Sequence, residues 1–228
     1  MIHEKEKIGG DYLTENDLEE VHRFYLYVKR LLDIIIGLLG AVFLLLPVSV
    51  IIAVFYLFGR DKGGIFFTQE RMGKGRKTFK IIKFRSMVVN AEDVLKTNPE
   101  LYQQYLDNSY KLLPHEDPRL TRIGHFIRKT SIDELPQFIN LIKGDMSFIG
   151  PRPILASELE EYTPSEQAEL LSIKPGATGW WQVSGRSEVL YPERCQLELY
   201  YVRNFSFKLD LKIFFLTIKK VFTGEGAH

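Results

Sequence analysis

The chain has a single cysteine, Cys195, among its 228 residues, so it can form no internal disulfide and offers no thiolate framework for a metal. That usage suits a reducing compartment such as the cytoplasm. It also lacks a charge bias. Its 30 lysines and arginines against 29 aspartates and glutamates leave a formal net charge of +1, too little for a global field that would gather nucleic acid. An anion site must therefore come from local clustering. Also missing are a Walker loop, a Gly-x-Gly-x-x-Gly turn, a paired-histidine metal motif, internal repeats and low-complexity tracts. Met1 to Arg30 is polar and acid-rich, which is not the pattern of a cleaved secretory leader. With 45% hydrophobic residues, the chain can build one substantial core, with or without a small appendage.

One stretch lacks charge altogether. Ile34 to Phe58 carries no ionisable acid or base, and at about 1.5 Å rise per residue it can cover the ~30 Å hydrocarbon core of a bilayer. Pro47 near its middle removes a backbone hydrogen bond and crowds the preceding turn, which predicts a kink. Basic residues flank both ends, Lys29 and Arg30 before and Arg60 and Lys62 after, so the positive-inside rule assigns no orientation to a spanning helix. A segment that enters, bends at Pro47 and returns puts both ends in one interface. The expectation is a polar extension over residues 1–26, a re-entrant membrane helix over 27–62 and the main domain, with interfacial helices, over 63–228.

Downstream, Ile65–Gln69 and Phe79–Phe84 read as strands of a small hairpin joined by the glycine- and lysine-rich turn from Met72 to Lys77. Ala91–Asn108 reads as a polar helix and Leu113–Arg119 as a loop. A further helix is expected after Thr130. Ser131 and Glu134 have the spacing of a capping box, Ile132, Leu135, Phe138, Ile139 and Ile142 form one apolar face, and Gly144 is a natural stop. Pro164–Ser172 should also be helical. In Leu209–Phe222 apolar residues alternate with Lys212, Lys219 and Lys220, as in a helix lying on a membrane surface. The fold class expected is mixed α/β and helix-rich, without the regular alternation of a doubly wound sheet.

Asp133 and Glu134 are the candidate reactive pair. Neighbouring residues on a helix project about 100° apart, so the two carboxylates can face one centre with different tasks. Spacing alone is equally served by helix capping and dipole compensation. The surroundings favour chemistry: Arg128 and Lys129 precede the pair, Arg119 and Arg122 lie one loop earlier, and Arg152 is held between Pro151 and Pro153. Guanidinium forks match phosphate oxygens, and carboxylates among cations suggest Mg²⁺ completed by water and substrate phosphate.

Five ordered motifs carry a resemblance. Lys83-Phe-Arg85-Ser-Met, Asp117 to Gly124, Ser131-Ile-Asp-Glu-Leu-Pro-Gln137, Gly144 to Pro153, and Pro175-Gly176 through Trp181-Gln-Val-Ser-Gly-Arg186 together resemble the bacterial monotopic phosphoglycosyl transferases, the bacterial sugar transferase family, from about Tyr27 to Val221. The resemblance implies a monotopic protein of the bacterial inner membrane that works at the cytoplasmic face. It implies that Asp133 attacks the sugar-linked phosphate of a UDP-sugar, expelling UMP, and that polyprenyl phosphate, usually undecaprenyl phosphate, takes the phosphosugar from the enzyme. Glu134 inherits the family's Mg²⁺ ligand. Lys83, Arg85, Arg128, Pro151, Arg152 and Pro153 match substrate-binding positions, and Gln182 and Arg186 fall in a motif linked to the nucleotide sugar. The last motif is more similar to relatives that use galactose or glucose than to those using modified amino sugars.

Two departures stand out: Leu46 precedes Pro47 where serine is common, and the chain resembles a minimal catalytic form without the added helices and domain of many relatives. A homodimer is the working expectation for assembly, and nucleic acid is not an expected partner. Two other readings use the same residues, a membrane-anchored Mg²⁺-dependent nucleotide-diphosphate hydrolase and a non-catalytic scaffold of polysaccharide assembly. Cysteines introduced near Tyr25 and Lys62 are predicted to react with an impermeant thiol reagent from one side of the membrane; labelling from opposite sides would establish a bitopic helix instead.

Overall fold

The structure is a computed structural model that describes residues 7–8, 11–12, 15–59, 63–108, 112–113, 116–185 and 189–223. Two-residue strands β1 (Lys7–Ile8) and β2 (Asp11–Tyr12) pair antiparallel, followed by α1 (Glu15–Gly40), a π turn (Ala41–Leu45) and α2 (Leu46–Phe58). The helix thus begins inside the expected polar extension. Arg23–Phe58 forms an apolar helix of 36 residues with only 17% of its most apolar stretch buried. The expected disturbance near Pro47 takes the form of the π turn, in which the Leu46 amide donates five residues back to Ala41. Widened turns of this kind accompany proline because they ease the clash its ring creates. Ser49 Oγ donates to the Leu45 carbonyl at 2.6 Å. That carbonyl is not the Phe43 oxygen that an α-helical proline at position 47 leaves without a donor.

The hairpin forms as predicted, with β3 (Phe66–Met72) running past the expected Gln69 and pairing antiparallel with β4 (Thr78–Phe84), from Phe66 opposite Phe84 to Met72 opposite Thr78. Gly75 (φ 69°) turns the chain in the left-handed region that glycine enters without cost. The single helix expected over Ala91–Asn108 is divided into α3 (Ala91–Lys96) and α4 (Pro99–Asp107). Pro99 drives Asn98 into the extended region (φ −118°, ψ 97°), where its side chain caps Leu101 N at 3.1 Å. No helix was expected at α5 (Arg122–Lys129), which Thr121 caps through Gly124 N.

The capping box expected at Ser131 and Glu134 does not form. Ser131 adopts a left-handed conformation (φ 55°, ψ 17°) and makes no side-chain capping bond, and the chain passes through a 3₁₀ turn (Ile132–Glu134) before α6 (Gln137–Lys143). Pro136 takes the N-cap of α6, and Gly144 (φ 86°) ends it as expected. A short parallel pair, β5 (Ser147–Ile149) with β6 (Gly176–Thr178), brackets a 3₁₀ turn (Ser157–Glu161) and α7 (Pro164–Leu170). The chain closes with α8 (Trp180–Ser184), α9 (Glu193–Asn204) and α10 (Phe207–Thr223). On α10, Phe207, Leu211, Phe215 and Ile218 are exposed while Ile213 is fully buried.

Helix α6 holds these parts together. Gly37 and Gly40 of α1 let it approach so closely that a Cβ at Gly40 would stand 2.5 Å from the Phe138 ring. Arg30 caps its C-terminal end through the carbonyls of Leu141 (2.6 Å) and Ile142 (2.8 Å). On its other side the fully buried Asn140 acts as a partner for β4, accepting from Ile82 N at 3.0 Å and donating to Lys80 O at 2.8 Å. Asn140→Ala strands both strand groups, so a loss of about 1–3 kcal/mol is expected, read as a lowered Tm of the detergent-solubilised protein.

Candidate active site

The end of β4 and the 3₁₀ turn before α6 converge on the two carboxylates. Asp133 is buried (8% exposed), whereas the Glu134 side chain is 37% exposed. Lys83, projecting from β4, donates to Glu134 Oε1 at 2.7 Å and lies 3.9 Å from Asp133 Oδ2. The residues after Lys83 each fix a different neighbour. Phe84 enters the core beside Ile127 and Tyr56. Arg85 donates to Gly64 O at 2.7 Å and stacks 4.3 Å above the Tyr56 ring, while the Tyr56 hydroxyl donates to the Arg85 carbonyl. Ser86 Oγ receives Arg128 Nε at 3.1 Å, and its carbonyl sits where Gly124 has no side chain; a Cβ there would approach to 1.9 Å. The glycine lets α5 pack on this segment and bring Arg128 to the carboxylates.

Electrostatics separate the pair. Burial pushes the Asp133 carboxyl up to about 6, with Lys83 and Arg128 pulling it down and Glu134 pushing it up. Desolvation lowers Arg128 somewhat, while the charges of Asp133 and Asp117 hold it up; a guanidinium stays protonated throughout. Asp117 is the second anchor: its oxygens receive Arg119 Nε at 2.7 Å and Nη2 at 2.8 Å, and Arg128 Nη1 lies at 3.9 Å. Of the cations noted in the sequence, Lys83 contacts the carboxylates, Arg128 acts on Asp133 through its charge while held by Ser86 and Asp117, Arg119 is paired with Asp117, and Arg122 and Lys129 are exposed on α5.

Arg152, Pro151, Pro153 and Gln182 belong to another cluster. The Arg152 guanidinium faces the buried Trp181 ring at 5.5 Å, its amide donates to Glu198 Oε2 at 2.9 Å, and the Pro153 carbonyl receives Arg71 Nη1 at 3.2 Å. Arg194 lies between the Trp181 and Tyr191 rings, at 4.3 and 4.7 Å, and 3.3 Å from Glu158 Oε1. Gln182 Oε1 and Arg152 Nε are buried without a hydrogen-bond partner. Tyr105 of α4 joins the two clusters: Arg119 stacks on it at 5.1 Å, and its hydroxyl, raised by burial, feels Glu158 and Arg71 as well. Arg186 lies outside the described residues, as do Arg60 and Lys62.

Sequence reasoning missed Arg71, Tyr105, Glu158, Arg194 and Glu198. Arg194 and Glu198 stand at i, i+4 in a helix of mixed polar and apolar residues, a spacing that ordinarily marks a solvated surface pair, so the sequence carried no signal for their burial. Here both are 1% exposed.

Among the described residues no three His, Cys, Asp or Glu side chains gather into a metal cage. Mg²⁺ needs only one or two protein carboxylates, the rest of its shell being water and phosphate. Glu134 fits that requirement, as a partly exposed carboxylate beside a buried one, with Lys83 hydrogen-bonded to its Oε1. Asp117→Asn should cost about 3–5 kcal/mol by stranding Arg119, and should free Arg128 from its anchor. Thermal unfolding checks this, since a Tm within error of the parent would show that the ion pair contributes nothing.

The sequence pattern of the bacterial sugar transferase family matches residues 24–224. The UDP-galactose-lipid carrier transferase of Erwinia amylovora is 45% identical over 89% of this chain and 42% of its own length. The undecaprenyl-phosphate galactose phosphotransferase of Salmonella typhimurium is 41% identical over 89% of the chain, again 42% of its own length. The chain thus spans less than half of these two relatives. The exopolysaccharide production protein ExoY of Sinorhizobium fredii is 41% identical over 88% of both chains. Together with the buried and exposed carboxylates at Asp133 and Glu134, this match over nearly the whole length shows that the chain belongs to the bacterial sugar transferase family.

Proposed function

We propose that the chain transfers a sugar 1-phosphate from a UDP-sugar, with galactose or glucose favoured, to undecaprenyl phosphate or a similar polyprenyl phosphate. This would be the first membrane step in assembling a glycoconjugate or exopolysaccharide. The observation that carries the reading is the geometry at the carboxylates: a buried Asp133 flanked by Lys83 and Arg128, beside an accessible Glu134, on a turn packed against the apolar helix. The donor and acceptor names borne by the relatives support the substrate classes.

In this scheme an Asp133 oxygen attacks the sugar-linked phosphorus of the donor, the bond from that phosphorus to the bridging oxygen breaks, and UMP leaves with the electron pair. A polyprenyl phosphate oxygen then attacks the same phosphorus and displaces the Asp133 carboxylate, leaving a polyprenyl diphosphate sugar. The intermediate divides transfer between a soluble donor and a lipid acceptor into two displacements. Lys83 and Arg128 neutralise phosphoryl oxygens, and Arg152, with Gln182 and Arg186, is assigned to the nucleotide sugar. Mg²⁺ held by Glu134 would supply further neutralisation of phosphate charge.

A membrane setting follows from the apolar helix. At about 1.5 Å per residue its uncharged stretch Ile34–Phe58 is long enough to cover a ~30 Å hydrocarbon core. Yet both ends dock on one body: Lys29 and Arg30 reach Asp210 and the end of α6, and Tyr56 reaches Arg85 and Thr121. A straight spanning helix would carry its far end across the bilayer, so we assign a re-entrant segment bent at the π turn and Pro47, with α10 on the same cytoplasmic interface of the inner membrane. The boundaries 27–62 for that segment and 63–228 for the catalytic part, and a homodimer, complete the proposal.

The test is incubation of the purified protein with UDP-galactose or UDP-glucose, Mg²⁺ and undecaprenyl phosphate. UMP and labelled lipid should form, and without acceptor a phosphosugar adduct should be found on Asp133 by mass spectrometry. Asp133→Asn should lose transfer by about 10³-fold or more. Monophosphate release without lipid labelling would establish the hydrolase; no turnover with any UDP-sugar would favour the scaffold.

A further inference from the structure

The segment Pro151–Arg152–Pro153 has only one amide hydrogen, because proline has none. The structure spends that donor on Glu198 of α9, at 2.9 Å. The surrounding backbone is held as firmly: Gly150 N donates to Thr178 O (2.9 Å), Gly176 N to Pro151 O (2.8 Å), Met72 N to Ile154 O (2.9 Å), and Leu155 N to Glu158 Oε2 (2.6 Å). The guanidinium itself is held differently. Its Nε is buried without a hydrogen-bond partner, and the guanidinium faces the Trp181 ring at 5.5 Å, with its charge felt by Glu158 and Glu198. Among the described residues no close ion pair fixes it, so its direction comes from its backbone, that ring and the nearby carboxylate charge.

Glu198 controls the first two. Its Oε2 fixes the Arg152 amide, and its Oε1 lies 3.8 Å from Arg194 Nε, whose guanidinium packs on the same Trp181 ring at 4.3 Å. A fully buried carboxylate with one oxygen outside any hydrogen bond is costly to keep for stability alone. We propose that Glu198 is a positioning residue of the active site, aiming the Arg152 guanidinium through the sole amide of the Pro-Arg-Pro segment and through the Arg194–Trp181 stack. This rests on the assignment of Arg152 to the donor under Proposed function.

The contact requires an acceptor oxygen more than a charge. Burial pushes Glu198 up to about 7 against the pull of Arg194 and Arg152, so its neutral form is close in free energy to its charged form near neutral pH. A glutamine keeps an acceptor oxygen in the same place. The test is a double-mutant cycle in donor kinetics, using the purified full chain with UDP-galactose, Mg²⁺ and undecaprenyl phosphate. Glu198→Ala should lower kcat/KM for the donor by about 10- to 100-fold, as small misplacements of a substrate-holding group do. Glu198→Gln should fall between the parent and the alanine variant, because its one acceptor oxygen keeps the Arg152 amide while its NH2 gives up the Arg194 contact. In an Arg152→Ala background, Glu198→Ala should change kcat/KM by less than about twofold, because the group it aims is gone.

Equal losses from Glu198→Ala in both backgrounds, or equal losses from Gln and Ala, would overturn the positioning role. An Arg152→Ala enzyme with unchanged donor kinetics would instead remove Arg152 from the donor site, a failure of the earlier reading that this cycle tells apart. If the alanine variant does not accumulate as folded protein, Glu198→Asp, which withdraws the carboxylate by one methylene, takes its place in both backgrounds under the same criteria.

Discussion

The seven residues of α6 are the constraint on which the rest of the molecule depends. They sit between the long apolar helix and a hairpin that carries Lys83 of the candidate active site. Glycines at positions 37 and 40 bring the α1 backbone onto Phe138 and Ile142, and Arg30 closes the far end with two carbonyl contacts. On the opposite side Asn140 borrows the hydrogen-bonding edge of β4, which sets the height of Lys83 relative to the turn that precedes α6. Any shift of α6 along its axis would therefore move Asp133 and Glu134 away from Lys83 and disturb the seat of the apolar helix together. Close packing makes such an element behave as a unit rather than deform continuously.

Buried charge is the second organising feature, and its arrangement argues for function over stability. A buried ion pair seldom repays its desolvation, so isolated stability would be better served by apolar residues. This chain nevertheless buries Asp117, Arg119, Asp133, Glu158, Arg194 and Glu198. Three of the carboxylates hold a backbone or a neighbouring cation in one orientation: Asp117 aligns Arg119 and lies against Arg128, Glu158 joins Arg71 to Arg194, and Glu198 pins the Arg152 amide. The result is a set of guanidiniums whose directions are fixed before any anion arrives. Preorganisation of that kind is where electrostatic stabilisation of a phosphoryl group gains most, because no reorientation is required during reaction.

Much of this was legible in the residues. The hairpin, the uncharged run, the α7 and α10 helices and the stop at Gly144 follow from periodicity and from glycine and proline chemistry, which act locally. What escaped was set by distant partners. Ser131 and Glu134 have capping-box spacing, but the left-handed turn at Ser131, with Pro136 at the α6 cap, redirects the chain and places Asp133 inward. Left-handed geometry costs a non-glycine residue about 1–2 kcal/mol, so only tertiary contacts can hold it, and no local rule reveals them. Helix α5 was read as a run of cations because its reason for folding there is a glycine against Ser86 O, a contact 38 positions apart in sequence that is visible only in space. Arg194 and Glu198 give no local sign of their burial for the same reason: i, i+4 spacing is indifferent to whether water or Trp181 lies beyond.

The position of the carboxylates relative to the apolar helix bears on why a covalent route suits this site. Asp133 is on the turn whose Ile132 and Leu135 pack in the same cluster as Leu45, Ile52 and Tyr56 of the apolar helix. On the transferase reading, one phosphorus must be reached first from the aqueous donor side and then from the lipid side. Holding both substrates at once would require the cations around Asp133 to neutralise a nucleoside diphosphate and a lipid phosphate in one small space. Parking the phosphosugar on Asp133 lets the monophosphate leave before the acceptor arrives, so Lys83 and Arg128 serve each displacement in turn. A nucleophile kept buried until it is bonded, beside an open carboxylate, meets that requirement with few parts. On the same reading the apolar helix, which seats α6, would set that single phosphorus at the level where a lipid phosphate resides.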